Sequence, residues 1–155
     1  MYTFKLQSVL DHRQLIEDNI KKELADIRQQ AIESQEKLER MKQKEIDTVN
    51  ALKREQSQGL SSEAVVAYHG FLKELSRRIT SQQQAIDAIH VQAADKKDEL
   101  LEAMKKRQIL EKLKDQGLAR YQEEVLKKEQ AFIDEIAVNQ FVRAAATRKP
   151  NGEKK

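Results

Sequence analysis

Three histidines, one basic run and one aromatic cluster are the residues of this 155-residue chain with the most chemistry to offer. His12, His69 and His90 are widely separated and have no cysteine to assist them. A metal needs several ligands converging on one point, and a hydrolytic site needs nucleophile, base and orienting group within hydrogen-bond reach. No such set occurs, and no glycine-rich loop could cradle a phosphate. The residues therefore predict no enzyme, no cofactor and no metal, with each histidine lying on a surface or flank. The chemistry that remains is recognition. Lys105, Lys106 and Arg107, followed by Lys112 and Lys114, form a cationic stretch suited to an acidic protein partner. Glu111 and Asp115 interrupt it, as on any solvated helix face. No aromatic residues interleave to stack bases, which argues against nucleic acid. Val66–Leu75 is the densest aromatic spot and holds Tyr68 and Phe71.

These groups must be positioned by helices. Charged residues make up 35% of the chain and aromatic residues only 5%, with one proline and four glycines. Glu, Lys, Gln, Ala and Leu dominate, and all favour helix. From Val65 the chain repeats a spacing of three and four through Tyr68, Leu72, Leu75, Ile79, Gln82, Ile86, Ile89, Ala93, Lys96, Leu100 and Ala103. Ten of these twelve are apolar or aromatic, which is the a/d stripe of a coiled coil. Phe71 falls beside this seam and is expected to be partly exposed. An earlier helix carries its own seam at Ile20, Leu24, Ile27, Ala31, Ser34, Leu38, Met41, Val49 and Leu52, with Leu6, Leu10 and Ile16 extending it upstream. Ser34, Glu45, Gln82 and Lys96 each replace an apolar layer and are read as register-setting residues.

The only clear break is Gln58-Gly59-Leu60-Ser61-Ser62-Glu63: a glycine to end one helix, a serine to cap the next and a glutamate in its first turn. The fold class predicted is all-α, two long helices in an antiparallel coiled-coil hairpin, the second overhanging the first. Its expected divisions are a helix over 4–57, a turn over 58–62, a helix over 62–145 and a flexible basic tail over 146–155. Folding back at the turn pairs positions whose numbers sum to about 120, so that seam meets seam throughout. At about 1.5 Å per residue the second helix is the longer by roughly 45 Å. Phe4 then lies opposite Gln116, and everything after Gly117 overhangs. Gly117 marks the place where a bend or fraying is expected. The overhang keeps apolar residues at Leu118, Tyr121, Val125, Phe132 and Ile136, a stripe that needs an external partner.

The formal net charge is +3 and is unevenly spread. Residues 105–155 hold 13 Lys/Arg against 8 Asp/Glu, so the basic end is the C-terminal third. No apolar run approaches the ~20 residues that cross a bilayer. The N-terminus, Met1-Tyr-Thr-Phe-Lys-Leu, has no signal core. A soluble, cytosolic chain without a cleaved signal is expected.

Four segments, in order, resemble the FliJ family, small coiled-coil proteins of the bacterial flagellar type III export apparatus. Phe4-x-Leu6-x-x-Val9-Leu10-x-x-Arg13 is similar to its N-terminal pattern. Gly59-Leu60-Ser61, followed by Tyr68-x-x-Phe71-Leu72-x-x-Leu75-x-x-x-Ile79, resembles its central motif. Lys105-Lys106-Arg107-x-x-Leu110-Glu111-Lys112-Leu113-Lys114 is similar to its basic stretch. Glu129-Gln130-x-x-Ile133-Asp134-Glu135-x-Ala137-x-x-x-Phe141 resembles its C-terminal signature. Gly117 departs from an otherwise continuous helix.

The resemblance implies a rod like the central stalk of a rotary ATPase. It implies binding to the hexameric flagellar export ATPase, contact with a membrane export-gate protein, and escort of substrate-specific export chaperones. Lys105, Lys106, Arg107, Lys112, Lys114, Glu129, Asp134 and Glu135 would face the ATPase. Tyr68, Phe71, Leu72, Leu75 and Ile79 would form the export-gate surface. The location implied is cytoplasmic, peripheral to the inner membrane at the flagellar base, in a cell that swims by chemotaxis. The equivalent stalk of a virulence type III secretion system, a basic coiled coil associated with nucleic acid, and a dimeric scaffold remain as alternatives.

Overall fold

The computed structural model describes residues 1–148, which hold two α-helices and no strand. Helix α1 spans Gln7–Ser57 and α2 spans Ser62–Thr147, packed against each other as a helical hairpin. The turn between them is built as its residues dictate. Gly59 takes a φ of 91°, a left-handed conformation that costs glycine little. The amides of Gln58 and Gly59 donate to the carbonyls of Glu55 and Gln56 at 3.1 and 3.3 Å, closing the last turn of α1. Ser61 is the residue that caps α2: its Oγ accepts from the Ala64 amide at 3.3 Å, and its carbonyl accepts from Val65 at 3.1 Å. Glu63 follows in the first turn, where the helix dipole favours a negative charge.

The chain divides into two compact units: His12–Lys106, and Met1–Asp11 together with the chain from Arg107 onward. In His12–Lys106 the core is a single seam. Leu24, Leu38, Leu52, Leu75, Ile86 and Ala103 are buried, with Leu38 fully enclosed. Every one of the twelve positions from Val65 to Ala103 is buried or half-buried. A buried leucine or isoleucine contributes about 1.5–3 kcal/mol, so a few such layers carry the pairing. Cross-helix contacts follow the expected register. Tyr68 reaches Glu55, Gln82 reaches Ser34 and Lys96 reaches Glu23.

The polar seam positions form specific cross-links. Gln82 Nε2 donates to the Ser34 carbonyl at 3.0 Å. Lys96 Nζ donates to Glu23 at 2.7 Å and to Glu99 at 3.0 Å. Both carboxylates hold the Lys96 ammonium above its usual pKa, Glu23 the more strongly. Glu45 is half-buried. Glu17, which hydropathy alone gives no reason to bury, is enclosed, with its carboxylate 2.8 Å from Lys21 Nζ.

In the other unit, α1 begins at Gln7 rather than at Phe4. The Gln7 amide donates to the Phe4 carbonyl at 3.2 Å, and the first full turn closes from Leu10 to Leu6 at 2.9 Å. Met1–Phe4 are non-helical, and Tyr2 lies against α2 at Gly117. A Cβ on Gly117 would overlap the Tyr2 hydroxyl. The fraying considered at Gly117 does not occur: α2 runs through it without interruption. Glycine serves here to let a phenol approach the helix, not to break it. The Tyr2 and Tyr121 rings meet in a tilted arrangement with centroids 5.8 Å apart, and the Met1 amine donates to the Tyr121 hydroxyl at 2.9 Å. Half-buried residues continue at spacings of three and four through Arg107, Leu110, Lys114, Gly117, Tyr121 and Val125. Packing thus extends past Gly117, where the overhang was expected to begin, as far as Tyr121. The end of the tail expected over 146–155 lies outside the described residues, and α2 includes Ala146 and Thr147.

Candidate partner-binding surfaces

The three histidines are exposed, and no group of three potential metal ligands gathers among the described residues. The surfaces that stand out are apolar or charged. Near the turn, Phe71 is 43% exposed and lies off the seam, as its heptad position predicts. Its ring faces Lys44 Nζ, 5.4 Å from the centroid. With Thr48, Ala64, Ala67 and Tyr68 it lines an open hollow of about 420 Å³.

The neighbours of Phe71 divide between core and surface. Leu75 is buried, so it supports this surface from beneath and presents no face to a partner. Tyr68, Leu72 and Ile79 are half-buried in the seam. The Tyr68 hydroxyl donates to Glu55 at 2.8 Å. That hydrogen bond, assisted by burial and the Glu55 charge, raises the phenol pKa above 10.0. One turn beyond Phe71, Glu74 accepts two hydrogen bonds from Arg77, at 2.9 and 2.6 Å, and one from Arg78 at 3.2 Å. The Arg77 bonds first, and then Arg78, lower the Glu74 pKa to about 2. Phe71, Glu74 and Arg78 follow one another at i, i+3 and i+7, so the aromatic ring and a fixed ion triad share one face.

The basic stretch is less uniform than its sequence. Lys105 and Lys106 are exposed, with Lys105 Nζ 3.2 Å from Glu102. Past them, the Arg107 side chain is only 16% exposed and pairs with Glu111 at 2.7 Å. Lys112 is exposed, whereas Lys114 is half-buried and donates to Gln7 Oε1 at 2.9 Å. Three of the five cations are therefore turned to solvent, and two take part in packing.

From Leu126 to Arg148 every described residue is exposed. Leu126, Phe132, Ile133, Ile136 and Phe141 lie within one half of the helix circumference. Phe132 is 64% exposed and Phe141 76%. Glu129, Asp134 and Glu135 are exposed on the same segment, with Asp134 accepting from Gln130 at 2.8 Å. Among the described residues no helix is long and apolar enough to cross a membrane.

Sequence reasoning located the seam, the turn, the off-seam Phe71 and the exposed Leu118, Phe132 and Ile136, whereas Tyr121 and Val125, expected on the same unpartnered stripe, are half-buried. It missed the Tyr2–Gly117 contact and the buried Glu17. The available signal for the first was a glycine in register with the N-terminal aromatics. The family model described as Flagellar FliJ protein matches residues 2–146, nearly the whole chain. Nothing among curated proteins or solved structures matches it.

Proposed function

This chain belongs to the FliJ family of flagellar proteins, a component of the flagellar export apparatus, and on that premise we propose that it is a non-enzymatic central stalk. It assembles the hexameric export ATPase, couples it to the membrane export gate and escorts substrate chaperones. The observation that supports this reading best is the stripe Leu126–Phe141: large apolar side chains spread over about four turns, all exposed, on a helix that has no partner there among the described residues. Such a stripe is costly to leave in water and marks a contact surface. The ATPase takes that stripe, together with Glu129, Asp134 and Glu135 and the exposed cations Lys105, Lys106 and Lys112. Arg107 and Lys114 brace the helix rather than reach the ring.

The export gate takes the opposite feature, the exposed Phe71 ring with Tyr68, Leu72 and Ile79 at its edges and Leu75 beneath. The chain works in the cytoplasm, held peripherally at the inner membrane by that contact. The test is an ATPase assay on the purified hexamer with and without this protein. Stimulation of hydrolysis and co-purification are expected. Neither occurring would sink the proposal.

A further inference from the structure

A second surface lies apart from the stripe and from Phe71. Between α1 and α2, within His12–Lys106, runs a groove of about 540 Å³. Its floor is apolar: Ile16 and Ile20 are half-buried and Ala103 is buried. One wall carries Asp95, Asp98, Glu99 and Glu102 from α2. The positions i, i+3, i+4 and i+7 bring all four carboxylates onto one line of about 10 Å. Glu99 and Glu102 are each engaged by a lysine of their own helix, whereas Asp95 and Asp98 have no such partner among the described residues. Arg13 and Lys106 stand together at one end.

We propose that this groove docks a cationic amphipathic helix from a partner protein. The floor accepts aliphatic side chains, and the acid line accepts lysines or arginines at the same helical spacing. The Arg13–Lys106 end gives the site a direction, since it repels the basic part of the occupant and accepts a carboxylate. Nucleic acid and anionic lipid are repelled by the acid wall. The site does not depend on the stalk reading, because it shares no residue with the stripe or with the Phe71 surface, and Lys106 is the only ATPase-facing residue at its rim.

The probe is a labelled amphipathic peptide of about four helical turns, with leucines on one face, lysines flanking them and a glutamate at one end. Anisotropy titration against the full chain should give saturable binding. The Asp95→Asn/Asp98→Asn double variant should weaken it about tenfold. A Glu33→Gln/Glu36→Gln variant, which removes the same charge elsewhere on α1, should leave it within about twofold. Circular dichroism on each variant establishes that the helices persist. Absence of binding, or equal weakening by both variants, overturns the proposal. So does a dimer by sedimentation that dissociates in the Asp95/Asp98 variant, because the groove then belongs to a second copy of this chain.

Discussion

Gln82 on α2 donates its side-chain amide to the main-chain carbonyl of Ser34 on α1, 3.0 Å away, in a layer where both seams lack an apolar residue. Two of the four polar interruptions of the coiled coil, one from each helix, thus face each other. A helix carbonyl has a second lone pair, so this bond adds to the α1 ladder instead of replacing part of it. Gln82→Ala is expected to cost about 1 kcal/mol in urea denaturation. Gln82→Leu, which restores an apolar layer, should unfold at equal or higher urea while allowing alternative pairings, read as extra species in light scattering. A loss above about 2 kcal/mol for Gln82→Leu would show that the hydrogen bond, not register, is what the layer supplies.

The seam was legible because period is a property of sequence alone: twelve positions from Val65 to Ala103 repeat, and all twelve are covered. The turn was legible for a similar reason, since Gly59 and Ser61 act through their own backbone and side chain. Residues whose role depends on what arrives from far along the chain were not. Gly117 read as a weak point of a helix, yet it is the seat of Tyr2. Leu75 reads as seam by its spacing and is buried there, while its place in a contact surface around Phe71 comes only from the family resemblance. Glu17 sits at a seam spacing from Ile20 and Leu24, but its charge hid it.

Gly117→Ala separates helix propensity from this contact. Alanine is favoured over glycine in a helix by about 1 kcal/mol, but its Cβ would displace the Tyr2 hydroxyl. With Tyr2 present the two effects oppose each other and little net stabilisation is expected. In a Tyr2→Ala background the same change should stabilise by about 0.5–1 kcal/mol. Amide hydrogen exchange over residues 110–125 is the readout. Equal effects in both backgrounds would dissociate Gly117 from Tyr2.

Acid and alkali should act on different bonds beside Phe71. The Glu74 pKa is lowered from 4.5 to about 2 by Arg77 and Arg78. Its contribution is present above pH 4.5 and is lost as pH falls through about 2. Tyr68 is raised above 10.0 by Glu55, so its contribution is present below pH 10.0 and is lost as pH climbs through the raised value. Carbon-detected NMR titration of Glu74 should give a midpoint near 2, moving towards the ordinary value in an Arg77→Ala/Arg78→Ala variant. An unshifted midpoint in the native chain would mean the triad does not persist in solution.

Phe71→Ala tests whether the exposed ring is scaffold or contact. With 43% of the residue in solvent and Lys44 over its face, truncation should change stability by less than about 1 kcal/mol. Binding to the export-gate protein should fall at least about tenfold, as for a central aromatic of an interface. A thermal melt and a binding isotherm on one preparation distinguish the two roles. A stability loss above about 2 kcal/mol with gate affinity unchanged would return Phe71 to the core.

The apolar stripe allows the same separation of stability from binding. Ile133 and Ile136 are exposed on a segment where every described residue is exposed, so placing charge there removes no internal packing. Ile133→Asp/Ile136→Asp should leave the unfolding free energy from urea denaturation within about 0.5 kcal/mol of the parent, and should improve solubility by breaking up the patch. If the stripe seats in an apolar surface of the ATPase, the same variant buries two unpaired carboxylates there, and each costs several kcal/mol. Stimulation of the hexamer should then be abolished while binding to the export gate through Phe71 persists. Full stimulation by this variant would show that the ATPase recognises another part of the chain. Loss of both activities together would instead point to a folding defect, and hydrogen exchange over 126–147 would locate it.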